Sequence, residues 1–450
     1  MKIALIGAAG VRTPLIVDAL VRRGDRLGLT DVALMDIDAG RLALIGQLLP
    51  ATPFTVSRTT DACAALRGAD FVITTFRAGG IAARVLDETI PLEMGLLGQE
   101  TTGPGGFAMA MRAIPVLLGY IEFMREACPE AWLINFANPA GLMAEAATTV
   151  GGWPRTVGIC DAPEGMLRVA AAVLGAQPAD VYLDYFGLNH LGWVRGVRMG
   201  GTDYLPQLIG MIRAAGGLPG LPFAPELIES LGMIPNEYLY YYYHGREAVD
   251  NLRAAGTTRA LELVKLNDEL FKTIGDLSAR GEVDRMRSAH TAYLHRRGET
   301  YMTRETGASH HAFDAFPAVA AAMEGEGYAG VALDLVEALS GGRPRHMTLN
   351  VPNAGATQAL PPDAVLEIPA YVSRGAVRPL ALAPLPPAEL GLMLQVKAYE
   401  RLTVAAVADG SRAAATQALA IHPLVRDYGL ARRLVQAYAE AHGDLFPALH

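Results

Sequence analysis

Residues 2–23 read KIALIGAAGVRTPLIVDALVRR, and this stretch decides the fold. KIALIG is a short apolar run of the kind that forms a strand buried on both faces. AAGVR interrupts it with small residues. Thr13 stands where a helix N-cap is expected and Pro14 at the first helical position, ahead of PLIVDALVRR. Strand, glycine loop and helix in this order place the backbone N–H groups of Gly7 to Gly10 and a helix N-terminus where an anion such as a pyrophosphate binds. Gly7, Gly10 and Thr13 are therefore candidate cofactor contacts. VALMDID (32–38) reads as the second strand and ends at Asp36, where an acidic residue holds an adenosine ribose. Gly-x-x-Gly-x-x-Thr-Pro is not the full Gly-x-Gly-x-x-Gly fingerprint. Its setting favours a dinucleotide, and glycines that merely serve the turn are the alternative.

Working outward, FVITTF (71–76) and WLINFA (132–137) are further apolar runs, with helical patterns between them. Strands alternating with helices predict an α/β fold with a doubly wound, Rossmann-like parallel sheet. From about residue 156 the texture changes. VGIC and VYLDYFGLNHLGWVRGVRM predict longer strands, part of them antiparallel, and TTRALELVKLNDELFKTI and the segment from about 387 predict helices. We expect residues 1–155 to form a dinucleotide-binding unit and residues 156–450 a mixed α/β unit for the substrate.

With 450 residues, about two domains are expected. A formal net charge of -8 argues against nucleic acid or an anionic membrane as a partner. It does not forbid an anionic substrate, which needs only a local pocket of Arg and N–H groups. Three cysteines, widely spaced, exclude a secreted disulfide framework. Cys63 and Cys128 lie in helical contexts and are expected to be small buried hydrophobes. There is no signal-peptide pattern and no uninterrupted apolar stretch long enough for a bilayer, so a cytoplasmic location is expected.

Several polar stretches carry chemistry. LLGQETTGPGGFAMAMRAIP (96–115) is a Gly-rich loop running into a helix, and FANPAG puts Asn138 just after a strand, where α/β ligands bind. YFGLNHLGW sets His190 among apolar residues, as a core histidine or as a ligand. VGICDAP (157–163) holds Cys160. One thiolate and one imidazole suit a divalent transition metal and leave positions open for substrate oxygens. Spacing alone does not establish the pair. IPNEYLYYYYH (234–244) is an aromatic cluster in which Tyr240, Tyr242 and Tyr243 read as packing residues. A tyrosine there becomes a general base if a cation lowers its pKa, but the sequence does not say which one.

Taken in order, GQETTGPGGF, NPAG, a Cys after a Gly-Ile pair, GLNHLGW, EYLYYY and KAYERLTVAA resemble glycoside hydrolase family 4 over essentially the whole chain. The resemblance implies a fold similar to lactate and malate dehydrogenases, an assembly of two or four subunits, and two cofactors: NAD and a divalent metal, usually manganese. It implies glycoside cleavage by redox-assisted elimination, outside the two-carboxylate scheme of most glycosidases. Hydride removal from C3 by NAD acidifies the C2 proton, a metal on the C2 and C3 oxygens stabilises the enediolate, and the C1–O bond breaks. Water adds at C1 and the hydride returns, so no net NADH forms. By the same resemblance Cys160 and His190 are the metal ligands. The donors alone do not choose between Mn²⁺, Co²⁺ and Ni²⁺. Tyr238 removes the C2 proton, Asn138 lies between substrate and nicotinamide, and Arg84 and Arg259 act on substrate. An Arg fork suits a phosphate, and the implied substrate is a 6-phosphorylated disaccharide or glucoside.

The chain departs from the family pattern in its first loop. Ala8 and Ala9 stand where glycine is usual, Ala9 being expected to narrow the approach of a pyrophosphate, and Val11 replaces a hydroxyl residue. Asp161 divides the anomers. Cys-Asp resembles the 6-phospho-α-glucosidases, in which the Asp protonates the leaving oxygen, whereas LPPDAVLEIPAYV and QVKAYERLTVAAV resemble the β branch. The longer segments favour 6-phospho-β-glucosidase activity. A 6-phospho-α-glucosidase, an α-galactosidase or α-glucuronidase of the same family, and a plain NAD dehydrogenase are the alternatives. For Asp161 itself, a turn residue accepting a backbone N–H is the structural alternative.

Overall fold

A computed structural model describes residues 1–218, 220–307 and 327–450. Six strands form the parallel part of the main sheet: β1 (Lys2–Ile6), β2 (Asp31–Met35), β3 (Thr55–Thr59), β4 (Phe71–Thr74), β5 (Trp132–Asn135) and β6 (Thr156–Gly158). Their spatial order is β3-β2-β1-β4-β5-β6, all neighbours parallel. This is the doubly wound Rossmann order, whose ligand crevice opens where the order reverses, between β1 and β4. β1 and β4 are apolar along their length because helices cover both faces of the sheet. Gly7 lies at the reversal with φ +93, and a Cβ there would stand 2.5 Å from the backbone nitrogen of Phe76. Both facts require glycine.

A hairpin of β7 (Tyr182–Leu188) and β8 (Leu191–Met199) follows, joined by β9 (Thr202–Asp203) and β10 (Ile234–Pro235) in a second, antiparallel sheet. Finally β11 (Arg345–Pro352), β12 (Val365–Ser373) and β13 (Ala376–Pro379) return to the first sheet. β11 pairs antiparallel with β6 and with β12, and β13 closes that edge. Among the described residues the main sheet thus has nine strands, from both ends of the chain. β6 begins at Thr156, beside the expected boundary at 155, and continues the same sheet.

A hydrophobic cluster runs through both halves. A smaller one joins Ile45 and Leu48 to Leu263, Leu266 and Leu270 of the helix Arg259–Ala279 and to Met286 and Tyr293 of the helix Val283–Glu299. It clamps this helix pair against the helix Ala39–Gln47 that follows β2.

Some expectations are corrected. Thr13 is not the N-cap but the first helical residue of Thr13–Leu27, with Arg12 at the cap position. Its N–H already donates to the carbonyl of Gly10 (3.0 Å), so the chain has turned before Thr13. Cys63 is exposed, because its helix, Ala62–Leu66, is a short surface turn; Cys128 is buried. The helix Gly103–Ala127 is long and apolar enough to cross a membrane, with mean hydropathy 1.5, but 61% of that window is buried inside the protein. Arg112 interrupts the run in the sequence, and in the fold it pairs with Asp87 at 2.6 Å.

Candidate active site

The cofactor loop is braced from within. The N–H groups of Gly7 and Ala8 both donate to the carbonyl of Met35 (2.9 Å each). Asp36, just past β2, accepts the N–H of Ala9 on Oδ2 (2.8 Å) and that of Asp38 on Oδ1 (3.0 Å). Ala8 and Ala9 belong to the hydrophobic core, so the two extra methyls are absorbed in it. Val11 packs on the smaller cluster, and its carbonyl accepts Nε2–H of His290 (2.7 Å). Among the described residues the buried Thr13 hydroxyl has no hydrogen-bond partner, a donor left over at the helix start. The N–H of Gly10 also donates internally, to the carbonyl of Gly7 (3.3 Å), so the N–H groups of Gly7 to Gly10 are not the anion donors the sequence predicts, and a dinucleotide would meet the N-terminal end of the helix Thr13–Leu27 instead.

Cys160 follows β6, and His190 occupies the β7–β8 turn with φ +63, a left-handed conformation uncommon for a non-glycine residue. His190 is held by a relay. Gln99 Oε1 accepts the N–H groups of Thr101 and Thr102 (2.7 Å each) and the Thr101 hydroxyl (3.0 Å). Having donated to Gln99, the Thr101 hydroxyl accepts Nδ1–H of His190 (3.0 Å). This fixes the tautomer whose Nε2 carries a lone pair, as a metal ligand requires. Burial pushes the His190 pKa down to about 4, so the ring is neutral at pH 7. Burial, then the charges of Glu367 and Asp161, push the Cys160 thiol well above its ordinary value. A bound cation is what would make that thiol a thiolate. One neutral imidazole and one thiol that needs a cation fit a divalent metal. Among the described residues no group of three or more His, Cys, Asp or Glu side chains forms a fuller set.

Tyr238 stacks on His190, with ring centroids 3.7 Å apart and planes 13° from parallel. Asn236 fixes its backbone by accepting its N–H (3.0 Å), and the Tyr301 hydroxyl donates to its oxygen (2.6 Å). Burial, with the charges of Asp161 and Glu367, pushes Glu237 up to about 7. Asp161 occupies the N-cap position of the helix Ala162–Leu174 without a side-chain capping bond. Tyr240 and Tyr241 are buried, and Tyr243 accepts Nε1–H of Trp193 (3.0 Å), as packing residues do. Asn138 is half-buried before the helix Ala140–Thr149, whose Gly141 N–H donates to Asn189 (3.4 Å), next to His190.

Arg84 is buried and committed: it pairs with Glu88 (2.7 Å) and Glu100 (2.9 Å), and Glu100 also pairs with Arg77 (2.6 Å). Glu88 in turn accepts the N–H of Ala260 (2.8 Å), which ties Arg84 to the helix that begins at Arg259. Arg259 donates to Thr300 Oγ1 and the carbonyl of Arg297 (2.9 Å each) and lies over the Tyr301 ring. Among the described residues neither Arg259 nor Arg297 has a carboxylate salt-bridge partner. Burial and the like charges of Arg12, Arg84 and Arg259 push Arg297 down to about 10. This surplus of guanidinium calls for an anion.

Residues 2–176 match the profile described as family 4 glycosyl hydrolase, and residues 185–425 match its C-terminal domain. The chain belongs to family 4 of the glycosyl hydrolases. A probable 6-phospho-beta-glucosidase of Bacillus subtilis is 30% identical over 99% of this chain and 97% of its own. The structure of the 6-phospho-beta glucosidase from Thermotoga maritima with NAD and glucose-6-phosphate is 29% identical, covers both chains fully and superposes with a TM-score of 0.86. A 6-phospho-alpha-glucosidase from gut microorganisms, in complex with NAD and Mn²⁺, is 26% identical, covers 100% of this chain and 99% of its own, and has a TM-score of 0.82. Within this family 4 fold, the geometry adds Gln99, Thr101, Glu100, Glu237, Arg297 and Tyr301 to the residues singled out by sequence. Gln99, Glu100 and Thr101 lie in the quoted GQETTGPGGF; Arg297 and Tyr301 had no local signal.

Proposed function

We propose that this family 4 protein hydrolyses 6-phospho-glucosides, β-linked ones by preference, to glucose 6-phosphate and the aglycone. It does so in the cytoplasm as a homodimer or homotetramer, with residues 1–155 carrying the cofactor and 156–450 most of the substrate site. The stacking of Tyr238 on His190 carries this reading, because it sets a proton acceptor against a candidate metal ligand. NAD, held by Gly7, Gly10, Thr13 and Asp36 with Asn138 toward the nicotinamide, supplies reversible hydride transfer at C3. A divalent cation such as Mn²⁺, held by Cys160 and His190, supplies positive charge beside the C2 and C3 oxygens.

The chain's own groups do the rest. Tyr238, as its phenolate, takes the C2 proton once C3 is at the ketone level and becomes the neutral phenol, and Tyr301 donates the hydrogen bond that stabilises the phenolate oxygen beforehand. Asp161 stands beside Cys160 to protonate the leaving oxygen. Arg259 and Arg297 meet the 6-phosphate, while Arg84, held by Glu88 and Glu100, positions Arg259 through the Glu88–Ala260 bond. The β preference is supported by the segments LPPDAVLEIPAYV and QVKAYERLTVAAV, the β and α relatives being nearly equal in identity at 30% and 28%. The Cys160-Asp161 pair favours the α-linked substrate as second reading. Nitrophenyl α- and β-glucoside 6-phosphates, offered with NAD, Mn²⁺ and a reductant, separate the two. The β compound is expected to turn over faster, and cleavage of unphosphorylated glycosides alone would refute the phosphate reading.

A further inference from the structure

Glu367 lies on β12 at the junction of the two sheets and is fully buried. Its Oε2 accepts the hydroxyl of Tyr185 on β7 (2.8 Å). Its Oε1 accepts the side-chain amides of Asn189 (3.1 Å) and Asn350 (3.0 Å). All three donors are neutral. A buried carboxylate without a cation among its partners is a poor choice for stability alone, since a glutamine would satisfy similar donors without burying charge.

The partners show what the carboxylate organises. Asn189 precedes His190 in the β7–β8 turn, and its Oδ1 also accepts the N–H of Gly141, in the first turn of the helix that follows Asn138. Asn350 is the register partner of Gly158, two residues before Cys160. One carboxylate thus fixes the strand end that presents Cys160 and the strained turn that presents His190. Outer partners of this kind orient metal ligands, and their removal weakens metal binding.

We infer that Glu367 is a positioning residue that sets the Cys160 and His190 side chains for a divalent metal. The inference rests on the metal reading of those two residues. It is tested with Co²⁺ as probe, added to the NAD-bound, reduced full-length protein. Thiolate-to-cobalt charge-transfer absorption reports the Cys160 bond, and titration gives the affinity.

In the parent protein the band is expected, and Cys160→Ser removes it. Glu367→Gln is expected to bind Co²⁺ about 10-fold more weakly, and Glu367→Ala about 100-fold, each with a displaced or weakened band. Tyr185→Phe, which removes one donor and keeps the fold, is expected to weaken binding less than Glu367→Gln; it decides the matter if the Glu367 variants do not fold. Folded Glu367→Gln and Glu367→Ala with parental affinity and spectrum would overturn the inference while leaving the metal reading intact, as would a parental Tyr185→Phe if those two are unfolded. Absence of a Cys160-dependent band in the parent protein would overturn both.

Discussion

At the residue scale the account turns on how His190 is presented. Its Nδ1–H is taken by Thr101, whose own proton goes to Gln99, so Nε2 is left as the donor to a metal. Thr101→Val removes the acceptor and frees the ring to flip. Mn²⁺ affinity is expected to fall 10- to 100-fold by equilibrium dialysis, with NAD affinity unchanged. Tyr238→Phe keeps the stack on His190 but has no oxygen for the proton. It is expected to lower kcat by about 10² to 10⁴, with little change in metal affinity, in steady-state assays on the phosphorylated glucoside. The proposed ligands and base could be named from the sequence only through a set of motifs in order. Thr101 lies 89 residues from His190 and Tyr301 lies 63 from Tyr238, and no local pattern encodes contacts of that range. YFGLNHLGW leaves His190 open as a core histidine or a ligand, and the positive φ that aims the ring is a property of the hairpin.

At the scale of elements, the loop 99–102 and the helix Gly103–Ala127 act as one piece. A Cβ on Gly105 would lie 2.1 Å from the carbonyl oxygen of Gln99 and 3.0 Å from that of Asp87. Gly105→Ala is therefore expected to displace the loop and lose thermal stability and Mn²⁺ binding together. Gly119→Ala on the same helix meets nothing within 4 Å and is expected to stabilise by about 0.5–1 kcal/mol, with metal binding unchanged. Thermal unfolding and dialysis on the two variants check this. Four parallel strands of the first 150 residues, β1, β2, β4 and β5, were readable because each is a short apolar run, whereas β3, TVSRT, is polar and largely exposed and left no such mark. The length of Gly103–Ala127 was not readable either, since buried Arg112 hides a core helix in what reads as a broken apolar run.

At the scale of the whole molecule, the sheet that carries the glycine loop is completed by β11 to β13, which enter after the second sheet has been built. This was not legible, because strand pairing between distant segments leaves no mark in either one. The consequence is that Cys160, at the end of β6, is buttressed by strands from beyond residue 340. Buried acids near the site make folding stability depend on pH. Glu237 rises from 4.5 to about 7 through burial, with Asp161 and Glu367 adding. A raised acid favours folding fully below its unfolded pKa and loses that contribution as pH rises through the folded value. In metal-free protein, Glu237→Gln should gain on the parent between pH 4.5 and 7, by on the order of 3 kcal/mol at the upper end, in urea unfolding. A difference constant across that range would contradict the assignment.

The central claim is that the glycosidic bond breaks by elimination after C2 deprotonation. Hydrolysis of a β-linked glucoside 6-phosphate in D₂O, with NAD and Mn²⁺, tests it most directly. The account predicts glucose 6-phosphate carrying deuterium at C2, with no net NADH. Product formed at full rate with only protium at C2 would contradict it.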